Sequence, residues 1–358
     1  MKIAYIVDCE VSLQSPNSVF KKVLLQTEYW LEKGHKVFVY SLQSGTKLCV
    51  RTKRIKRLND SYQKKDNALL KLYKVWVSSH SIKENIMSND FDIIYSRYIF
   101  YTPFFSNLFN KNLTVMEINS NDDDEYKKAS IFTRYYNALF KRKILRYVDQ
   151  FICVTNELSF YIKKYSVAEV KVIANGIKFP IGQLECLNSN KRPVLSFVAS
   201  PGNSCHGYDI LLKVANVLTD FDFNIVGYSG ENKENIIYHG YLEKDKLDDI
   251  LRCTDIGISA LAIQRHGMSE ACPLKSREYY SYGLPVIGNY IDTDIDDDLY
   301  CKVTSSNLDT SSKDIRNFVE YWMSIPNRKS IVKSRSFIKL NYEQKEKHRL
   351  SLMLSLIN

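Results

Sequence analysis

The sequence predicts an α/β protein made of two doubly wound units in tandem. Three observations carry this. At 358 residues the chain exceeds what one hydrophobic core usually organises. Short, β-rich apolar runs alternate with helical patterns along both halves. Between the halves the stretch IKFPIGQLECLNSNKRP (177–193) breaks that rhythm with proline, glycine and polar residues, as a linker would.

The elements follow in order. Lys2 to Val7 alternates little, which suits a strand buried on both faces of a parallel sheet. From Ser18 to Lys33 the apolar residues Val19, Phe20, Val23, Leu24, Trp30 and Leu31 recur at helical spacing, with Ser18 as a cap and Gly34 as a stop. Strands then read as HKVFVYSL (35–42), DIIYS (92–96), LTVMEI (113–118), QFICVT (150–155) and VKVIAN (170–175), with helical patterns between them. Past the linker come VLSFVAS (194–200), FNIVGY (223–228), IIYHG (236–240), DIGISA (255–260) and PVIG (285–288), separated by helices such as 206–218 and 244–253. After about residue 310 the pattern is helical to the end. The expected organisation is a first domain over 1–178, a linker over 179–193, a second domain over 194–335, and a terminal helix over 336–358 that crosses back to the first domain. Such units place a ligand in the cleft between them, at the carboxyl ends of their strands.

Composition narrows the function. With 45% hydrophobic and 25% charged residues the chain can bury a core. No run of about 18 apolar residues occurs, so nothing is expected to span a bilayer. The opening MKIAYIVDCE is too short an apolar run for a secretory leader. Eight scattered cysteines without a CxxC pair suit reduced thiols in a cytoplasm and not a zinc site. A net charge of +10 points to an acidic partner: nucleic acid, anionic lipid or a phosphorylated small molecule.

One segment carries chemistry. GMSEACPLKSREYYSYGLPVIG (267–288) follows the strand DIGISA and holds Glu270 and Glu278, separated by seven residues, around Pro273-Leu274-Lys275. If Pro273 begins a helix, Glu278 lies about one turn inside while Glu270 reaches out from the loop. The free N–H groups at that helix start then face any diphosphate bound there. A plain alternative is that Glu278 is an ordinary first-turn carboxylate favoured by the helix dipole.

This segment resembles the nucleotide-sugar site of GT-B fold retaining glycosyltransferases of the family 4 type. Tyr282-Gly283-Leu284-Pro285-Val286-Ile287, the NGI at 175–177 and HGYDILL at 206–212 support the likeness. The resemblance implies two Rossmann-like domains, a nucleotide-sugar donor and no metal or other cofactor. It assigns the nucleotide ribose to Glu278 and the donor sugar to Glu270. Cys272, Pro273 and Leu274 would line the donor loop, and Gly202 and Gly207 would let backbone approach the phosphates. Many relatives carry an arginine and a lysine after the first strand of the second domain. Here Pro201 stands near the first position and His206 at the second, so Lys275, and after it Arg265, are expected to supply the missing charge, with His206 as a further phosphate donor. On the acceptor side the histidine often found in relatives is absent. Arg97, Glu117 and Asn119, at strand carboxyl ends, are the expected contacts.

Rival readings meet specific residues. The acidic runs NDDDEY (121–126) and IDTDIDDD (291–298) could hold magnesium or manganese as a DxD motif does, yet they read better as solvated loops, with Asp292 or Asp294 facing the ligand. The basic tract RTKRIKRLNDSYQKKDNALLKLYKVW (51–76) reads as a helix on an anionic membrane surface, and no nucleic-acid fold signature accompanies it. The expected function is transfer of a hexose from a UDP- or GDP-sugar to a lipid-linked or polysaccharide acceptor at the inner face of the membrane. A nucleotide-sugar 2-epimerase and a non-catalytic sugar-nucleotide or nucleic-acid binder are the alternatives.

Overall fold

The first sheet grows outward from β1 (Lys2–Val7), whose residues Ile3 to Val7 are wholly buried. In this computed structural model, residues 1–60, 67–126, 130–180, 192–295, 298–304 and 308–357 are described. The chain forms two units, residues 1–173 with 343–358, and residues 174–342. The second unit thus starts before the 179–193 segment, most of which lies outside the described residues, and runs past 335 to Tyr342.

In the first unit β1 is followed by α1 (Ser18–Glu32), which begins at Asn17, whose side chain accepts from the Phe20 amide. Next come β2 (Lys36–Ser41), β3 (Thr46–Cys49), β4 (Arg54–Arg57), α2 (Ala68–Met87), β5 (Ile93–Arg97), α3 (Pro103–Lys111) and β6 (Thr114–Ile118). Then α4 (Asp122–Glu125), α5 (Ile131–Leu145), β7 (Gln150–Cys153), α6 (Asn156–Ile162) and β8 (Glu169–Val172) complete the stretch before the second unit. The sheet order is β4-β3-β2-β1-β5-β6-β7-β8, parallel from β2 to β8, so chain direction switches sides at β1. Ligands gather at the carboxyl ends of strands beside such a switch.

Two expectations change here. The tract 51–76 is not one helix. Its RIKR run forms β4, antiparallel to β3 with Ile55 opposite Leu48, because the ladder satisfies backbone groups that a short helix would leave open. β4 is exposed throughout, and its charges keep a sheet edge from recruiting other strands. The helix starts only at Ala68, after Asn67 caps the Leu70 amide, and residues 61–66 lie outside the described ones. The run NDDDEY is likewise no solvated loop: Asp122 is 3% exposed, 2.7 Å from Lys141 Nζ, and accepts from Asn137 Nδ2 at 2.6 Å. Buried Lys141 draws Asp122 inward, while Asp123, 2.6 Å from the same Nζ, keeps 43% of its side chain exposed.

The second unit contains β9 (Val194–Val198), α7 (Tyr208–Val217), β10 (Asp222–Val226), β11 (Ile236–Gly240), α8 (Lys244–Arg252), β12 (Ile256–Ile258), α9 (Leu274–Ser281), β13 (Val286–Gly288) and β14 (Tyr300–Lys302). α10 (Leu308–Ser324) and α11 (Arg328–Leu340) follow, and α12 (Tyr342–Ile357) belongs, from Glu343 on, to the first unit. Its sheet, ordered β11-β10-β9-β12-β13-β14, is parallel throughout. Leu195, Phe197, Ile225, Ile256, Val286 and Trp322 share one core. Among the described residues, no helix is long and apolar enough to cross a membrane. Among the described residues six cysteines are free thiols, but Cys253 is disulfide-bonded, so the expectation of reduced thiols throughout does not hold for it.

Candidate donor and acceptor sites

The loop carrying Glu270 is fixed from below before it enters α9. Ala271 N donates to Ile291 O at 3.0 Å and Ile291 N to Ser269 O at 2.8 Å, a strand-like pairing just past β13. The next residue, Asp292, receives both terminal nitrogens of Arg277, one of them at 2.9 Å, and each partner is wholly buried. Arg277 Nε also donates to Asn175 O at 3.1 Å, and Asn175 Nδ2 to Cys272 O at 2.9 Å. The NGI segment, the loop at 270–273 and the acidic run are thereby tied through one guanidinium. Asp292 is therefore a structural counter-ion and not a solvated loop residue, and Asp294 stands 3.2 Å from the same arginine. A buried guanidinium requires such partners. Positions 296 and 297 lie outside the described residues.

Pro273 sits just before the helix as its N-cap, and Leu274 is the first helical residue. Glu270 is half-buried in the loop. Glu278, one turn in, keeps 30% of its side chain exposed and lies 3.1 Å from Lys244 Nζ at the start of α8. Burial pulls the Lys244 ammonium down, but Glu278 and Asp248 outweigh it and hold the group above its ordinary value.

Lys275 differs from every other cation near this helix. Its Nζ is buried, 5.0 Å from the centroid of the Phe197 ring, and has no hydrogen-bond partner. Burial lowers the ammonium to about 7, against a small opposing pull from Cys205. His206, in a single 3-10 turn at Ser204–His206, stays neutral: burial, then the charge of Lys275, lower it to about 4, and its Nδ1 lies 3.2 Å from Ser200 O. Arg265 is engaged elsewhere, with both terminal nitrogens on Asp209 at 2.8 and 2.7 Å and a further bond to Ser204 O. Among the described residues Lys275 thus has no carboxylate partner, whereas Arg265 has one. Gly207 has φ +71, and a Cβ there would meet Leu261 Cβ at 2.8 Å; Gly202 has φ +85 with open space around it.

In the first unit Arg97, Glu117 and Asn119 do come together, at the ends of β5 and β6, but with different roles. The Glu117 carboxylate is wholly buried, paired with Lys22 of α1, and accepts from Gln26 Nε2 at 3.0 Å and Tyr95 OH. Arg349 of α12 lies 3.8 Å away. Although burial raises Glu117, Lys22, Arg349 and Arg97 together hold it well below the usual carboxylate range. It is a charge-balancing centre. With Arg97 and Asn119 it also borders a pocket of about 240 Å³ that Asp8, Ser120 and Tyr126 help to line. Sequence reasoning missed Lys22, Lys244, Arg277 and Arg349. Arg277, between Lys275 and Glu278, was readable only as a spacer, because its partner is set by the fold.

Residues 23–179 match the family model of Glycosyltransferase Family 4. Solved structures similar over the whole chain include a glycosyltransferase from Rickettsia africae (TM-score 0.67, 14% identity, 100% of this chain and 98% of that one). The lipopolysaccharide outer core galactosyltransferase WaaB is another (TM-score 0.69, 11% identity, 99% of each chain). The catalytic domain of starch synthase IV from Arabidopsis thaliana, bound to ADP and acarbose, is a third (TM-score 0.66, 9% identity, 99% of each chain). The fold of this chain is that of the GT-B glycosyltransferases. At these identities the likeness of this chain to the solved structures is one of fold. No curated protein matches it in sequence.

Proposed function

We propose that this protein is a glycosyltransferase that transfers a hexose, with retention of configuration, from a UDP- or GDP-sugar held by the second unit to a lipid-linked or polysaccharide acceptor held by the first, in surface-glycan assembly. The observation that carries the donor half is the buried, unpartnered Nζ of Lys275 in the first turn of α9. An ammonium without a counter-ion is costly unless an anion arrives, and a diphosphate meets both it and the free N–H groups of the helix start. In this reading Glu278 holds the ribose hydroxyls, Glu270 orients the sugar and Lys275 takes the charge growing on the leaving diphosphate. The C1–phosphate bond breaks, the acceptor oxygen bonds to C1 on the same face, and the acceptor proton passes to the departing phosphate. No metal enters this scheme.

A membrane-facing acceptor is supported by the first unit's surface. α2 exposes Leu69 (70%) and Tyr73 (66%), and α5 exposes Ile131, Tyr135 and Leu139 (70–74%). Exposed Arg54 and Lys56 on β4 and Arg134 on α5 add positive charge, the combination that binds anionic lipid at the inner leaflet.

The test is a thermal-shift panel of UDP-, GDP-, ADP- and CDP-sugars on wild type and Glu278→Ala, followed by acceptor-dependent transfer with the product anomer read by NMR. Stabilisation by one nucleotide family that is lost in the variant, and transfer with retention, are expected. No stabilisation by any donor overturns the reading, and donor isomerisation without acceptor identifies an epimerase instead.

A further inference from the structure

The pocket at the carboxyl ends of β1, β5 and β6 presents two donors that the transfer reaction by itself does not explain. Arg97, half-buried at the end of β5, donates no side-chain hydrogen bond among the described residues. Asn119 uses its Oδ1 to accept from Lys22 Nζ at 2.6 Å, which leaves its Nδ2 as a buried donor with no acceptor. Three cations, Lys22, Arg349 and Arg97, lower Glu117, whereas Glu346, with Arg349 and Lys22 acting on it, is raised by burial. Glu117 also lines the pocket, but its carboxylate is taken by Lys22, Gln26 and Tyr95, which leaves Arg97 and the Asn119 amide as lining donors without a side-chain acceptor among the described residues. Asp8, a second lining carboxylate, is exposed to solvent.

We propose that this pocket is a subsite for an oxyanion carried by the acceptor, a phosphate or a carboxylate, held by the Arg97 guanidinium and the Asn119 amide. A planar guanidinium and an amide N–H side by side match two oxygens of such a group, and charge-assisted hydrogen bonds of this kind are strong where water is partly excluded. The first turn of α1, whose Val19 lines the pocket, adds the positive end of a helix dipole. The subsite makes the enzyme select acidic acceptors over neutral ones of equal size. It rests on the assignment of the acceptor to the first unit.

The experiment is isothermal titration of the full chain with glucose 6-phosphate, glucuronic acid, glucose and inorganic phosphate, on wild type, Arg97→Gln, Arg97→Lys, Asn119→Asp and Glu278→Ala. The acidic sugars are expected to bind wild type and Glu278→Ala alike. They are expected to weaken about tenfold or more in Arg97→Gln and Asn119→Asp, and less in Arg97→Lys, which keeps the charge without the fork. Equal binding of glucose and the acidic sugars, or acidic binding unchanged in Arg97→Gln, overturns the proposal. Inorganic phosphate binding as well as glucose 6-phosphate also overturns it, because the site is then one for a free ion. Donor titration in the same variants separates the two readings: donor binding without acidic-sugar binding removes only the subsite, whereas loss of donor binding in wild type removes the transferase reading.

Discussion

The Nζ of Lys275 lies 5.0 Å above the Phe197 ring with no hydrogen-bond partner. A cation–π contact offsets only part of the cost of burying an ammonium, which is why burial lowers this lysine to about 7.

The pH dependence follows from that value. A diphosphate needs the charged form, so donor affinity should fall as pH rises above 7, approaching ~10-fold per pH unit until the bound lysine itself titrates. Lys275→Arg, charged throughout, should flatten the profile. Calorimetric titration between pH 6 and pH 9 reads both.

The same lysine acts on stability with a definite sign. Its folded value is below the unfolded value of about 10.4, so between the two the unfolded chain binds the extra proton and stability rises with pH. Lys275→Met should therefore raise the melting temperature, most at or below pH 7, and the gain should shrink toward pH 10.

Arg277 and Asp292 form a wholly buried pair that ties the Glu270 loop to the segment after β13. Removing one partner strands the other charge, so Arg277→Met and Asp292→Ala should each destabilise the second unit by about 3–5 kcal/mol in urea unfolding. The exposed Lys244–Glu278 pair should behave differently, with Lys244→Met changing stability by less than about 1 kcal/mol.

The two glycines after β9 separate backbone strain from steric conflict. Gly202→Ala meets open space and should cost about 1–2 kcal/mol for its left-handed backbone alone. Gly207→Ala adds a collision with Leu261 and should cost more, as read by the difference in their unfolding midpoints.

In the first unit, Arg349 of α12 donates to Glu346 at 2.6 Å and to Ile173 O at 2.9 Å while wholly buried. Arg349→Met should destabilise that unit by about 3–5 kcal/mol, and hydrogen exchange should rise in β5 and β6 as Glu117 loses a neighbour.

Periodicity along the chain determined much of this protein. The buried run Lys2–Val7, the amphipathic helix from Ser18 and the strand and helix order of both halves are local patterns, set by which side chains repeat every two or every 3.6 residues. Glu270, Lys275 and Glu278 were legible as a group because they lie within one turn and its preceding loop. The tertiary structure alone decided which charges are spent. Arg265 is taken by Asp209, Asp292 by Arg277, and Glu117 by Lys22, 95 residues away, while Lys275 is left without a partner. RIKR became β4 because β3 offered it a ladder of hydrogen bonds. A charge acquires its role from the groups that replace its water, and those groups are brought together by packing between residues far apart in the chain.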